Sequence, residues 1–164
     1  MKLLKSFTKK QLLVLLCSIA VLVALDQLVK YIVSVNMGLY YDYIKILPFL
    51  EIRYIINTGV SFSFLDGLDY KLIAIISFAA IILATYLIIS FYKVAGIEMI
   101  IALSLLLAGS IGNLIDRLRI GGVIDYIHVF WGQYSFPIFN LADIYINFCA
   151  LIIIKNVIMN KKTN

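Results

Sequence analysis

The sequence predicts an integral membrane protein, mainly α-helical, with four transmembrane helices and a small extracytoplasmic β-sheet between the first and second. Three observations lead there. Of the 164 residues, 63% are hydrophobic and only 14% are charged, with a mean hydropathy of +1.03, whereas soluble domains are about half apolar and about a quarter charged. Four stretches are long and apolar enough to cross about 30 Å of hydrocarbon, which takes roughly 20 residues. One segment between the first two alternates β-branched and aromatic residues at a period near two. The length fits a single membrane domain over residues 1–164.

The first span is predicted at about 11–33. Its apolar run is too long for a cleaved signal peptide, and no small-x-small cleavage site follows it. Residues 34–70 form the long polar-side segment. There Tyr41, Tyr43, Ile44 and Ile46 precede Pro48, and Leu50, Ile52, Tyr54 and Ile56 follow around Glu51 and Arg53. Alternation returns in Ser61-Phe62-Ser63-Phe64. The tyrosines and phenylalanines suit a surface lying on lipid headgroups. Spans two and three, at about 72–92 and 97–115, are joined by a very short loop and form an antiparallel hairpin. The stretch 118–140 returns the chain to span four, at about 141–159, and Pro48 and Pro137 fall outside every span. Cys17 and Cys149 lie within spans, as small apolar packers rather than a disulfide or a metal pair.

The net charge of +5 does not indicate nucleic acid, because of where the charges fall. Lys2, Lys5, Lys9, Lys10, Lys93, Lys155, Lys161 and Lys162 flank one side of the spans, with only Glu98 among them. The other side holds six basic residues against eight acids. Basic flanks stay cytoplasmic. Both termini are therefore expected in the cytoplasm, with Asp116, Asp125 and Asp143 near the outer face.

Those three aspartates are the chemical signal, since an ionisable group in or beside a span is costly and marks a functional site by default. In span three, Ser104, Ala108, Gly112 and Asp116 share a face, with Gly109, Asn113 and Arg117 in the adjacent row. Small residues at this spacing let another helix approach closely, but packing does not explain Asn113, Asp116 and Arg117 at the end of the same stripe. Asp143 lies at the start of span four, where Asn140 is placed to cap the helix. Its partner is Asp116 or Asp125, because Gly121-Gly122 can turn the chain back in either case. Arg117 is the natural salt-bridge partner of the adjacent Asp116. Asp125, with no charge within three residues, is the better candidate for a carboxylate free to shift its pKa.

Two carboxylates sharing a site ionise apart, one remaining protonated while the other acts as base. Such a pair can activate a water and stabilise an oxyanion, which is aspartic peptidase chemistry. No cofactor is expected. His128 is the lone histidine, read as an outer-loop residue, so neither a metal cluster nor a serine triad is predicted. The rival readings are a small membrane transporter or proton-relay protein using the same acids, and a non-enzymatic assembly protein whose aspartates are caps and salt bridges.

Five motifs in order resemble the bacterial lipoprotein signal peptidases (signal peptidase II) over nearly the whole chain. They are Asp26-Gln27-Leu28-Val29-Lys30, Asn57-Thr58-Gly59, Gly112-Asn113-Leu114-Ile115-Asp116-Arg117, Val123-Ile124-Asp125-Tyr126-Ile127 and Phe139-Asn140-Leu141-Ala142-Asp143. The resemblance implies an aspartic endopeptidase of the bacterial cytoplasmic membrane that removes the signal peptide from prolipoproteins. It would cut on the amino side of the diacylglyceryl-modified cysteine. The catalytic dyad would be Asp125 and Asp143, with Asn57, Gly59, Asn113, Arg117, Asn140 and Asp116 as substrate-binding or supporting residues. Asp26 and Lys30 would be a structural polar pair. The outer segment would be a β-sheet cradle that covers the cleft together with a short outer helix. Membrane lipids and lipid-modified precursors would be the partners of a monomer. The chain departs from the family pattern at Val60-Ser61, where two alanines are usual, and at Ile144, where a serine is.

Overall fold

The computed structural model of the protein describes residues 7–58, 70–91 and 97–160. Four long helices are linked by two connections that carry strands, in the order α1 (Lys9–Asn36), β1 (Tyr43–Leu47), β2 (Leu50–Asn57), α2 (Tyr70–Phe91), α3 (Ile97–Ile120), β3 (Val123–Trp131), β4 (Tyr134–Ser135) and α4 (Leu141–Asn160). All four helices are long and apolar enough to cross a membrane. Their outer faces carry the expected greasy side chains, such as Leu13, Leu16, Ile75, Leu83 and Leu151, all exposed. In water those faces would be a liability, but against lipid tails they are at home.

α3 is the central helix and packs against α1, α2 and α4. At one end Leu15, Ile88, Met99, Leu103 and Cys149 form an apolar core, and Lys155 meets Glu98 at 2.8 Å on the surface nearby. Cys149 is buried there and Cys17 is exposed, and both are free thiols. Toward the other end the α3 face turns polar, with Ser104, Asn113 and Asp116 all buried. α3 runs to Ile120, further than its apolar stretch predicts, so Asp116 and Arg117 are helical rather than flanking. Gly121, at φ 74°, ends the helix in the left-handed conformation that glycine adopts without strain, and its N–H bonds the Arg117 carbonyl at 3.1 Å.

The sheet has the antiparallel order β1-β2-β3-β4. Leu47 pairs with Leu50, so Pro48 and Phe49 make the turn of the first hairpin, between the two runs of strand-like residues read from the sequence. The later strands were not foreseen. β3 arises in the stretch expected only to return the chain, and pairs with β2 through Asn57↔Val123, Ile55↔Asp125 and Glu51↔His128. The register shifts between Ile52 and Ile55, the local irregularity by which a bulge re-aims side chains. Val33, Met37, Ile124 and Tyr126 form a second core where this sheet meets α1. Gly59, Val60 and Ser61, with the alternation at 61–64, lie outside the described residues, as do Lys2, Lys5, Lys93, Lys161 and Lys162. The short outer helix is not seen among the described residues.

Candidate active site

The first turn of α4 is where the pieces meet. A helix N-terminus presents N–H groups with no partner inside the helix, and here each of the first three is met by a different element. The Leu141 N–H donates to the Tyr126 hydroxyl at 3.2 Å, the Ala142 N–H to Asp26 Oδ1 at 3.1 Å, and the Asp143 N–H to Asn140 Oδ1 at 3.0 Å. Asp143 Oδ2 in turn accepts the Asn140 backbone N–H at 3.1 Å. Strand β3, α1 and the capping asparagine thus clamp this turn, and Asp143 with it.

Asp125 reaches the same place from β3. Its Oδ1 accepts from Asn140 Nδ2 at 2.7 Å and its Oδ2 from Asn57 Nδ2, at the end of β2, at 3.0 Å. Asn140 is wholly buried and Asp125 is 2% exposed. Asn140 therefore touches both carboxyl groups, that of Asp125 through its side-chain amide and that of Asp143 through its backbone N–H. Burial pushes the Asp125 carboxyl up to about 6, assisted by the Asp143 charge and restrained by the Asn57 and Asn140 donors. Burial also pushes the Tyr126 hydroxyl upward, so it stays a neutral phenol.

A second layer lies beneath. Lys30 is 1% exposed and contacts Asp26 Oδ2 at 2.9 Å, Asp116 Oδ2 at 2.8 Å and Asn113 Oδ1 at 2.9 Å. Asn113 Nδ2 passes on to Asp143 Oδ1 at 2.9 Å. Asp116 also accepts the Ile124 backbone N–H at 3.2 Å, which ties α3 to the strand that carries Asp125. The expected pairing of Asp116 with Arg117 is thereby corrected. Neighbours in a helix point about 100° apart and do not face each other, and Lys30 takes the Asp116 carboxylate instead. Arg117 bends back to the Asn113 carbonyl at 3.5 Å and lies in the field of Asp143, then Asp125, then Asp116. Asp26 and Lys30, expected to be a pair, are two members of this larger network.

Gly112 shows why the network closes. A Cβ on it would run into the Asp26 carboxylate, so only glycine lets α1 and α3 approach there. Gln27 was not singled out from the sequence. Its Nε2 bridges Asp26, the Gly112 carbonyl and Asp116, each at 3.2 Å. The signal was present, since an amide inside an apolar span needs a reason.

His128 is not on a loop but on β3, facing Glu51 across the sheet. Its Nδ1 lies 2.7 Å from Glu51 Oε1 and its Nε2 lies 2.6 Å from Ser135 Oγ. Burial alone would raise the Glu51 carboxyl, but His128 and Arg53 outweigh it and hold it below the ordinary glutamate value. The order serine, histidine, glutamate resembles a nucleophilic triad. Yet the N–H after Ser135, on Phe136, is already given to the Val129 carbonyl at 2.9 Å, which removes the usual oxyanion donor. The chain of contacts instead bolts β4 through β3 to β2. Among the described residues no cluster of His, Cys, Asp and Glu is placed to hold a metal ion.

The chain matches the family model described as signal peptidase (SPase) II over residues 18–159. It is similar to the lipoprotein signal peptidase of Syntrophus aciditrophicus (strain SB), with 36% identity over 157 residues that cover 94% of this chain and 98% of that one. Among solved structures it is similar to a bacterial membrane enzyme determined by the in meso method at 2.3 Å resolution. The TM-score is 0.79 at 30% identity, covering 96% of this chain and 93% of that one. A second bacterial membrane enzyme, determined by the in meso method at 1.9 Å resolution, gives a TM-score of 0.71 at 32% identity, covering 92% and 94%.

Proposed function

The chain belongs to the signal peptidase II family, and from that premise we propose that Asp125 and Asp143 are the dyad with which it removes the signal peptide from prolipoproteins. It is an aspartic endopeptidase and a multi-pass bacterial membrane protein. The scissile bond lies on the amino side of the diacylglyceryl-modified cysteine. The observation that carries the residue assignment is the shared Asn140, which touches both acids and leaves them in unequal surroundings. Asp125 is buried and raised to about 6, which suits the member that keeps a proton. Asp143, in the positive first turn of α4, suits the carboxylate.

Water held between the two gives its proton to Asp143 as its oxygen attacks the scissile carbonyl carbon. The proton on Asp125 bonds the carbonyl oxygen as it becomes an oxyanion. Collapse breaks the C–N bond, and the proton on Asp143 passes to the departing amine, which restores the dyad. General acid–base transfer of this kind contributes about 10²- to 10⁴-fold, and an oriented oxyanion donor about 10²- to 10³-fold. Asn57, Asn113 and Arg117 serve to hold the substrate backbone and the acids, while Asp116, Asp26 and Lys30 support them.

The asymmetry of basic residues across the spans supports cytoplasmic termini and a site near the outer face. There the end of a substrate's own apolar signal helix arrives within reach.

The test is incubation of the purified protein with a diacylglyceryl-modified precursor and with the same precursor unmodified, each with and without a chelator. Mass spectrometry should find the lipid-modified cysteine at the new N-terminus, with chelator present or absent. Cleavage elsewhere, equal cleavage of the unmodified precursor, or inhibition by the chelator would contradict the reading.

A further inference from the structure

Lys30 is nearly fully enclosed, yet the chemical steps above do not use it. An ammonium has three N–H donors and no acceptor, and all three have partners: Asp26, Asp116 and Asn113. The first two contacts set its single positive charge against two carboxylates. The third fixes a direction. Because Lys30 can only donate, the Asn113 amide must turn its oxygen toward α1, which aims its Nδ2 at Asp143 Oδ1. Asn140 makes the same demand from the other side. Its own oxygen is taken by the Asp143 N–H, so its Nδ2 must face Asn113 Oδ1, at 3.1 Å, and Asp125 Oδ1.

Building on the dyad assignment, we propose that Lys30 is a positioning residue which, through Asn113, holds Asp143 as the unprotonated member of the pair and leaves the shared proton on Asp125. Asp143 receives an N–H at each oxygen, from Asn113 Nδ2 and from the Asn140 backbone. Among the described residues, neither oxygen is offered an acceptor that would stabilise a carboxylic acid. The other groups facing this region are Asp26 from α1, Arg117 and Asp116 from α3, and Asp125 and Tyr126 from β3. Of these Arg117 favours the same state and the remaining acids oppose it, which is why a directed donor matters. Without the ammonium, one of the two constraints on Asn113 is gone. An inverted amide would present Oδ1 to Asp143, and only a protonated Asp143 satisfies that contact.

The experiment measures kcat and KM against pH for wild type, Lys30→Met and Asn113→Leu, with the folded fraction of each taken from melting in detergent. Asn113→Leu removes the donor to Asp143 without placing a new charge beside it, so it tests the last link of the chain if Lys30→Met does not fold. The expected result is a kcat at least tenfold lower at neutral pH with KM within about threefold. The acid limb of the profile should move at least one unit upward, one unit being tenfold in the active ionisation state. An acid limb at the wild-type position, with rate lost only in proportion to folded protein, would overturn the proposal and leave Lys30 a structural ion. Asp143→Asn separates the two claims. Full activity in that variant defeats the dyad itself, whereas an inactive Asp143→Asn with an unmoved limb defeats only the role of Lys30.

Discussion

Asn140 and Asp143 cap each other: Asn140 Oδ1 accepts the Asp143 N–H at 3.0 Å and Asp143 Oδ2 accepts the Asn140 N–H at 3.1 Å. This reciprocal contact starts α4 and at the same time fixes a proposed catalytic carboxylate. The cap and the site are one structure, so one substitution should report on both. Loss of an asparagine cap costs about 0.5–2 kcal/mol. Asn140→Ala should show a stability loss of about that size in a denaturation measurement. Its cleavage rate per folded molecule should fall at least tenfold, because Asp125 also loses its Asn140 donor. A rate that tracks folded protein alone would mean that Asn140 is only a cap.

The Asp125 carboxyl, at about 6, makes a signed prediction. The proposed acid must keep its proton, so kcat/KM, which reports the free enzyme, should fall as pH rises through that value. Asn57 donates to the ionised form and lowers the value, so Asn57→Ala should move the falling limb to higher pH. Stability obeys the same linkage. A folded value raised above 3.8 means that the native state binds more protons, so Asp125 costs stability progressively as pH rises from about 4 to about 6. The melting-temperature difference between Asp125→Asn and wild type should therefore grow in favour of the variant across that window. A difference that is flat, or that shrinks, contradicts the assignment.

Asp116 should behave differently from the dyad. It is 2% exposed and paired with Lys30, and removing one partner of a buried pair costs about 3–5 kcal/mol. Asp116→Asn keeps the shape, so a loss toward the lower end, about 3 kcal/mol, is expected in denaturation. Activity per folded molecule should stay within about threefold of wild type, because Lys30 still reaches Asn113. A hundredfold loss without destabilisation would promote Asp116 to the catalytic group.

The Ser135–His128–Glu51 chain is assigned a structural part. Ser135→Ala should leave cleavage of the lipid-modified precursor within about twofold of wild type, and a serine-directed fluorophosphonate should not label the protein. Glu51→Ala should cost about 0.5–1.5 kcal/mol, the ordinary net worth of a hydrogen bond, since its partners His128 and Arg53 are only partly buried and water can reach them. Loss of cleavage in Ser135→Ala would instead place a nucleophile there.

Much of this was legible in the sequence because lipid makes charge conspicuous. The four helices follow from uninterrupted apolar runs, and Asp125 stands out as a proposed site residue because no charged neighbour in the sequence neutralises it. The reading failed where distance along the chain hides proximity. Arg117 is adjacent to Asp116 in sequence but points elsewhere, while Lys30 arrives from a different helix, beside the Asp26 carboxylate that Gly112 leaves room for. Strand β3 was missed for a related reason. Val123, Ile124, Tyr126, Ile127, Val129 and Phe130 carry strand composition, but the pairing with β2 crosses the two intervening helices. No local pattern encodes that pairing, and it is what delivers Asn57 to Asp125.

The central claim is that two carboxylates, and these two, perform the cleavage. The most direct measurement is the rate at which purified wild type, Asp125→Asn and Asp143→Asn release the signal peptide from a diacylglyceryl-modified precursor, each normalised to folded protein. Both variants should fold, bind the precursor and lose at least about 10³-fold in kcat, since each removes a proton-transfer or oxyanion-stabilising group. Full activity in either one would contradict the account.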